Sequence, residues 1–211
     1  MFRALRAAGV LLAALALFGQ ANATDWKEGT HYKKLDTPVR TDSGASIEVA
    51  EVFWYGCPHC YNFKPLAESW EAKAPDYVEY VRIPAALGRS WVPHAQAFYA
   101  LEAMNSLDKV HDALFEALAG QRRPLNDGDS LADFVAGRGV DREEFLNNFN
   151  SFGVNARMQQ AQSKIRGARI TGTPSMLVNG KYTVSASMAG SLEAMLEVVD
   201  YLVEKEQVAD Q

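Results

Sequence analysis

The chain has 211 residues, 48% hydrophobic and 22% charged, with 21 basic residues against 26 acidic ones and a formal net charge of −5 at pH 7. An acidic surface without basic clusters excludes nucleic acid and anionic lipid as expected partners, because both are bound through accumulated positive charge.

At the start, Arg3 and Arg6 precede an apolar run of twelve residues from Ala7 to Phe18, and Ala21-Asn22-Ala23 offers a small-x-small cleavage site. The pattern reads as a secretory signal peptide, residues 1–23, cleaved near Ala23. The alternative is a stop-transfer anchor, but twelve apolar residues are too few to span a bilayer, and no later stretch is long enough either. Removing Arg3 and Arg6 takes the basic residues from 21 to 19 against 26 acidic, a net charge of −7 on the remaining 188 residues. That length suits one well-packed domain or a domain carrying an insertion. Export also sets the redox compartment: the bacterial periplasm is kept oxidising, so a close cysteine pair there is more naturally a disulfide donor than a reductant.

Residues 24–46 are polar and turn-rich, with an early edge strand expected around His31 to Leu35 and His31 itself expected in solvent. Residues 47–54 are nearly all apolar, with β-branched and aromatic side chains, the composition of a central strand buried on both faces. Gly56 permits a tight turn. From Pro58 the pattern is helical, and proline is favoured at the first helical position because its missing N–H would be unpaired there anyway. Cys57 is thereby placed at a helix N-terminus, where unpaired N–H groups and the positive end of the helix dipole favour a thiolate. His59, in the same turn, can add a positive charge or a donor. Cys60, one turn further in, is expected to be shielded and less acidic.

Cys57 and Cys60 are the only cysteines. A disulfide closing so short a loop removes little entropy from the unfolded chain, so exchange rather than stabilisation is its expected use. A structural zinc site would need two further ligands at short spacing, whereas His31, His94 and His111 are scattered singly. Covalent haem attachment would need a histidine directly after the second cysteine, and Tyr61 stands there. Two buried cysteines that merely lie close are the plain alternative, against which stands the strand–turn–helix context.

Glu51 shares a strand face with Ile47, Val49 and Phe53, which puts its carboxylate under the helix and close to Cys60. An isolated buried carboxylate holds its proton above the usual range and can exchange it with a neighbouring thiol; a satisfied structural carboxylate is the alternative. The helix is expected to run to about Ala74, kinked at Pro65 and stopped by Pro75. Residues 77–83 alternate as a strand, completing a right-handed β-α-β unit. Arg82 on that strand is a candidate partner for Glu51.

From Leu87 to about Arg166 no strand pattern appears. Helices are expected over residues 93–104, 108–118, 131–136, 142–150 and 154–166, with Gly120 and Gly137 ending two of them. Ser130 and Asp141 are expected to cap two starts, Asp141 with Glu144 three residues on. His94 and His111 read as packed or solvated, and Arg122 and Arg123 as a solvated loop. Residues 170–174, Ile-Thr-Gly-Thr-Pro, then lead into a hairpin of strands 175–178 and 181–184 joined by the type I′ signal Asn179-Gly180. Ser191 caps a final amphipathic helix, residues 192–206, expected to cover one face of the sheet.

In Cys57-Pro58-His59-Cys60, following an apolar strand with Glu51 six residues before the first cysteine, the chain resembles the DsbA family of thioredoxin-fold thiol oxidases. The resemblance spans essentially all of the mature chain and is specific again at Thr171 to Pro174. It implies an α/β architecture, a thioredoxin fold with an inserted all-helical domain: residues 24–86 and 167–211 would form the thioredoxin part and 87–166 the insertion. It implies Cys57, Cys60, His59, Pro58 and Glu51 as catalytic residues, with Glu51 exchanging protons with Cys60. Pro174 would be cis and face the cysteines, and Thr173 would offer backbone groups to an extended substrate.

The activity implied is that of a monomeric periplasmic oxidoreductase, with no cofactor beyond the Cys57–Cys60 disulfide, donating that disulfide to unfolded, newly exported proteins. Reoxidation would come from the quinone-linked membrane protein DsbB. One departure stands out: the family usually has valine before the cis proline, whereas Thr173 is similar to the periplasmic disulfide isomerases. Those carry a separate N-terminal dimerisation domain, which roughly twenty polar residues before Ile47 cannot build. An isomerase or reductase would show a low reduction potential, and a holdase with an apolar groove would keep its activity after Cys57→Ala.

Overall fold

Strand β2 (Ile47–Phe53) runs through the middle of the molecule with all seven residues buried, as its apolar run requires. The computed structural model describes residues 25–209, so the signal-peptide reading falls outside the described residues. On one side β2 pairs in parallel with β3 (Val78–Pro84), and on the other it pairs antiparallel with β4 (Ser175–Val178). Strand β5 (Tyr182–Ser185) and a two-residue β1 (Lys33–Lys34) complete a five-stranded sheet in the order β1-β5-β4-β2-β3. Two parallel neighbours need a crossover, and helix α1 (Pro58–Glu71) supplies it between β2 and β3.

The two-residue period of the strands sorts their side chains onto two faces. Ile47 and Val49 join Met176, Val178 and Val184 against Phe63 of α1 and against Val199 and Leu202 of α8 (Leu192–Ala209). Ala50 and Val52 point the other way, with Ile83 and Leu177, into a larger core shared with five helices. These are α2 (Val92–Ala103), α3 (Leu107–Phe115), α4 (Gly128–Ala136), α5 (Arg142–Phe149) and α6 (Phe152–Gly167), all between β3 and β4 in the chain. The two acids of β2 fall on opposite faces. Glu48, 1% exposed, accepts from Lys164 Nζ of α6 at 2.6 Å, from Ser43 Oγ at 3.2 Å and from Asp42 N at 3.0 Å. It ties the sheet to the helical layer.

Several expected boundaries hold and several move. Helix α1 stops at Glu71 rather than near Ala74, and Pro65 is accommodated inside it. Helix α3 passes into a wider turn over Glu116–Gly120. Helix α4 starts earlier than expected because Asp127, not Ser130, is its cap: Asp127 Oδ1 accepts from Ser130 N at 2.8 Å, and Asp127 N donates back to Ser130 Oγ at 3.3 Å. That is a reciprocal capping box with serine in the third helical position. Asp141 does accept from Glu144 N, at 2.7 Å, and Ser191 from Ala194 N, at 3.0 Å. A one-turn helix α7 (Ala186–Ala189) precedes α8 without a sequence signal strong enough to predict it.

The hairpin turn follows its sequence. Asn179 (φ 49°) and Gly180 (φ 62°) both take the positive φ that a type I′ turn requires. A Cβ on Gly180 would lie 2.1 Å from the carbonyl oxygen of Val39, so no side chain fits there.

Candidate active site

The C-terminal end of β2 turns sharply into α1. Cys57 N donates to Trp54 O at 3.0 Å, closing the turn, and the Trp54 ring lies so close to the Gly56 backbone that a Cβ there would be 2.4 Å from it. Cys57 is then the N-cap of α1, with extended backbone (φ −89°, ψ 116°), and Pro58 occupies the first turn, where its lack of an N–H leaves nothing unpaired. Cys60 N points back at Cys57 Sγ, 3.4 Å away. Cys57 is 8% exposed and Cys60 fully buried, while Pro58 and His59 are exposed. The two thiols are free.

These positions give the two sulfurs opposite acidities. Cys57 is lowered to about 5, first by a hydrogen bond from the Cys60 thiol, against the opposing effect of burial. The Thr173 side chain and the backbone N–H groups of Cys60 and His59 add to the lowering. The Thr173 carbonyl oxygen, 3.4 Å from Sγ, works the other way, since it can accept only from a protonated sulfur. Burial raises Cys60 far above the ordinary thiol range, and the hydrogen bond to Cys57 and that sulfur's charge push it further. The expectation of an acidic Cys57 and a shielded Cys60 therefore holds. The contribution of His59 runs through its backbone N–H, and its side chain stands exposed at the mouth of a neighbouring groove.

The Thr173–Pro174 peptide bond is cis, and it brings Thr173 against Cys57 from 116 residues further along the chain. Behind the cysteines, Glu51 is 4% exposed. Tyr80 Oη donates to its Oε2 at 2.6 Å, and its Oε1 is buried without a partner. Burial pushes the Glu51 carboxyl up to about 7, against the Tyr80 hydrogen bond and the Arg82 charge, which pull it down. The expected Glu51–Arg82 ion pair is not formed. Arg82 lies beside Glu51 in the β2–β3 register, but its guanidinium pairs with Glu71 of α1 and sits 5.0 Å above the Tyr80 ring. The half-exposed rim offers Arg82 a partner that keeps its charge near water, so Glu51 keeps only the phenol. Among the described residues the hydrogen bond that Glu51 makes is to Tyr80, and none joins it to Cys60.

An aromatic frame that no sequence pattern announces surrounds the turn. Trp54 stacks on Trp91 with ring centroids 4.2 Å apart and planes 2° from parallel, and its Nε1 donates to His94 Nδ1 at 2.9 Å. Since the indole can only donate, the His94 proton must sit on Nε2, which donates to Leu125 O at 2.8 Å. Burial holds His94 below the usual histidine range. Tyr55 Oη lies 2.7 Å from Nδ1 of His111, which burial pushes down to about 4 within a cluster of Phe53, Phe98 and Phe115 rings. His94 and His111 are thus packed histidines that brace the turn. No spacing in the chain announces partners forty and more residues apart. His31, expected in solvent, is half-buried against Trp26 and accepts from Lys27 N at 2.9 Å. Among the described residues, no group of three or more histidines, cysteines or acids is placed to hold a metal ion.

Comparison with known proteins agrees with this geometry. A family profile described as a DSBA-like thioredoxin domain matches residues 78–197, downstream of both cysteines. The thiol:disulfide interchange protein DsbA of Pseudomonas aeruginosa is 44% identical over 200 residues, covering 94% of this chain and 95% of the relative. That of Azotobacter vinelandii is 41% identical over 207 residues, covering 95% and 97%. The crystal structure of Pseudomonas aeruginosa DsbA superposes with a TM-score of 0.85 at 43% identity, over 88% of this chain and 97% of that one. The Xylella fastidiosa oxidoreductase DsbA gives 0.80 at 32% identity, over 86% and 98%. With a strand–turn–helix that acidifies one cysteine and buries the other, and with relatives matched over nearly their whole length, the chain belongs to the DsbA family of thioredoxin-fold thiol:disulfide interchange proteins.

Proposed function

We propose that this chain is the periplasmic oxidase that its resemblance implied, donating a Cys57–Cys60 disulfide to newly exported proteins. The observation that carries the reading is the split between the two sulfurs, one lowered to about 5 and the other raised by burial. A client thiolate attacks Cys57 Sγ of the oxidised form, because Cys60 is fully buried. The Cys57–Cys60 bond breaks and Cys60 leaves with the bonding pair, taking up a proton. The client's second thiolate then attacks the client sulfur of the mixed disulfide, and Cys57 departs as the thiolate that its surroundings stabilise. The client loses two electrons and two thiol protons. One proton ends on Cys60, and the other goes to water.

Within this reading, His59 and Pro58 shape the exposed lip of the turn. Thr173 and Pro174 receive the client's extended backbone, and Glu51 exchanges protons with Cys60 in the interior. Residues 87–166 act as a helical insertion into a thioredoxin domain made of residues 24–86 and 167–211, in a monomer cleaved near Ala23. A quinone-linked membrane protein of the DsbB kind restores the disulfide. Measuring the reduction potential against glutathione tests the oxidase directly. A pair more oxidising than glutathione, together with complete loss of dithiol oxidation in Cys57→Ala, is expected. A potential at or below that of glutathione would point to the isomerase reading that Thr173 suggests, and activity surviving in Cys57→Ala would point to a holdase.

A further inference from the structure

Beside the cysteines a groove of about 540 Å³ runs between the loop that ends in Pro174, strand β5 and helix α7, and His59, Thr173 and Pro174 are among its walls. Its charge is the feature that the proposed function leaves unexplained. Among the described residues, Lys33, His59 and Arg169 are the titratable side chains lining it and no aspartate or glutamate does, on a chain with 26 acidic residues and 21 basic ones. The larger cavity, about 800 Å³ between β3 and α6, mixes both signs, with Asp42, Glu79 and Glu102 facing Arg40, Arg82 and Arg157. A one-signed lining therefore sets the groove next to the reactive sulfur apart from the larger cavity.

The two outer cations differ in what already holds them. Lys33 makes no ion pair among the described residues. Arg169 pairs with Asp36 at 3.1 Å, but both side chains are more than three-quarters exposed, and so open a pair is weak enough to exchange partners. Arg169 also adopts a left-handed backbone (φ 53°) just after α6, where glycine would relieve the strain. The groove has a strand edge to offer as well. Strand β1 covers β5 at Tyr182 and Thr183, so among the described residues Val184 and Ser185, which line the groove, have no strand beyond them. An extended chain can be added there through its backbone.

Resting on the oxidase reading above, we propose that this groove selects acidic client segments: extended chain whose carboxylates, next to the cysteine being oxidised, meet Lys33 and Arg169. Neither cation touches a reacting sulfur. Both are specificity residues that act on encounter and register. At physiological salt, charges beyond about 8 Å are largely screened, so the local cations outweigh the repulsion of the acidic surface as a whole.

The test uses the oxidised mature protein and three dithiol peptides that differ only in having Glu, Gln or Lys on either side of the first cysteine. At low ionic strength the Glu peptide is expected to be oxidised about 10-fold faster, relative to the Lys peptide, than in a Lys33→Glu/Arg169→Glu variant. Comparing the same peptides between proteins cancels the peptides' own thiol acidities. The preference should shrink as salt is added, and Asp36→Asn, which releases Arg169 without altering the lining, should widen it. A Glu-to-Lys rate ratio that is the same in all three proteins and indifferent to salt overturns the proposal while leaving the oxidase intact. If the wild type oxidises none of the peptides, the oxidase reading itself has failed.

Discussion

Replacing Cys60 by alanine removes the hydrogen bond that acts most strongly to lower Cys57, while the backbone N–H groups of residues 59 and 60 remain in place. A hydrogen bond to a charged group contributes about 1.5–3 kcal/mol, and a thiol is a weak donor, so the lower end applies, about one pKa unit. In the reduced wild type, the thiolate ultraviolet absorbance should rise in a single step near pH 5. In Cys60→Ala the step should move up by about one unit yet stay well below free cysteine.

The same acidity sets the redox strength. With the Cys57 pKa at about 5, two pH units separate it from neutrality. The ionised form then stabilises the dithiol state by at most about 3 kcal/mol, or about 60 mV, an upper bound because water reaches the exposed lip of the turn. The Cys57 pKa is lower in the folded than in the unfolded reduced chain, so between pH 5 and the ordinary thiol value the unfolded chain binds more protons. Reduced-state stability therefore increases with pH across that window and is lost as pH falls through 5. A wild-type step at the ordinary cysteine pKa, or one that Cys60→Ala leaves unmoved, would mean that the Cys60 thiol does not hold a Cys57 thiolate.

Glu51 titrates in the opposite sense. Its folded pKa of about 7 is raised, so the native state binds the extra proton between the ordinary carboxyl value and 7, and stability falls as pH rises through that range. Glu51→Gln should leave stability little changed at pH 4 and raise it by about 3 kcal/mol at pH 8, as chemical denaturation at the two pH values would show. Lys164→Met removes the cation that pairs with buried Glu48, and unfolding free energy at neutral pH should drop by about 3–5 kcal/mol. A double variant that also carries Glu48→Gln should recover much of that loss.

The local chemistry was legible in the chain because it is set by nearest neighbours. An apolar strand, a glycine turn, proline at the first helical position and cysteines three apart are enough to put Cys57 at a helix N-terminus and Cys60 inside it. The Asn179-Gly180 hairpin and the Asp141 and Ser191 caps were readable for the same reason, since each is made within four residues. Long-range packing decided the rest. Which base meets which buried acid depends on where two elements cross: α1 brings Glu71 to Arg82 and leaves Glu51 with Tyr80, while α6 brings Lys164 to Glu48 from 116 residues away. The Trp54–Trp91–His94 brace and the one-signed groove beside Thr173 arise the same way, from side chains that only the closed sheet and its helical layer bring together. Sequence alone determined which sulfur would carry the charge, because a helix terminus is a property of a few consecutive residues. Only the folded chain determined what surrounds that sulfur, because burial and ion pairing depend on segments far apart in the chain.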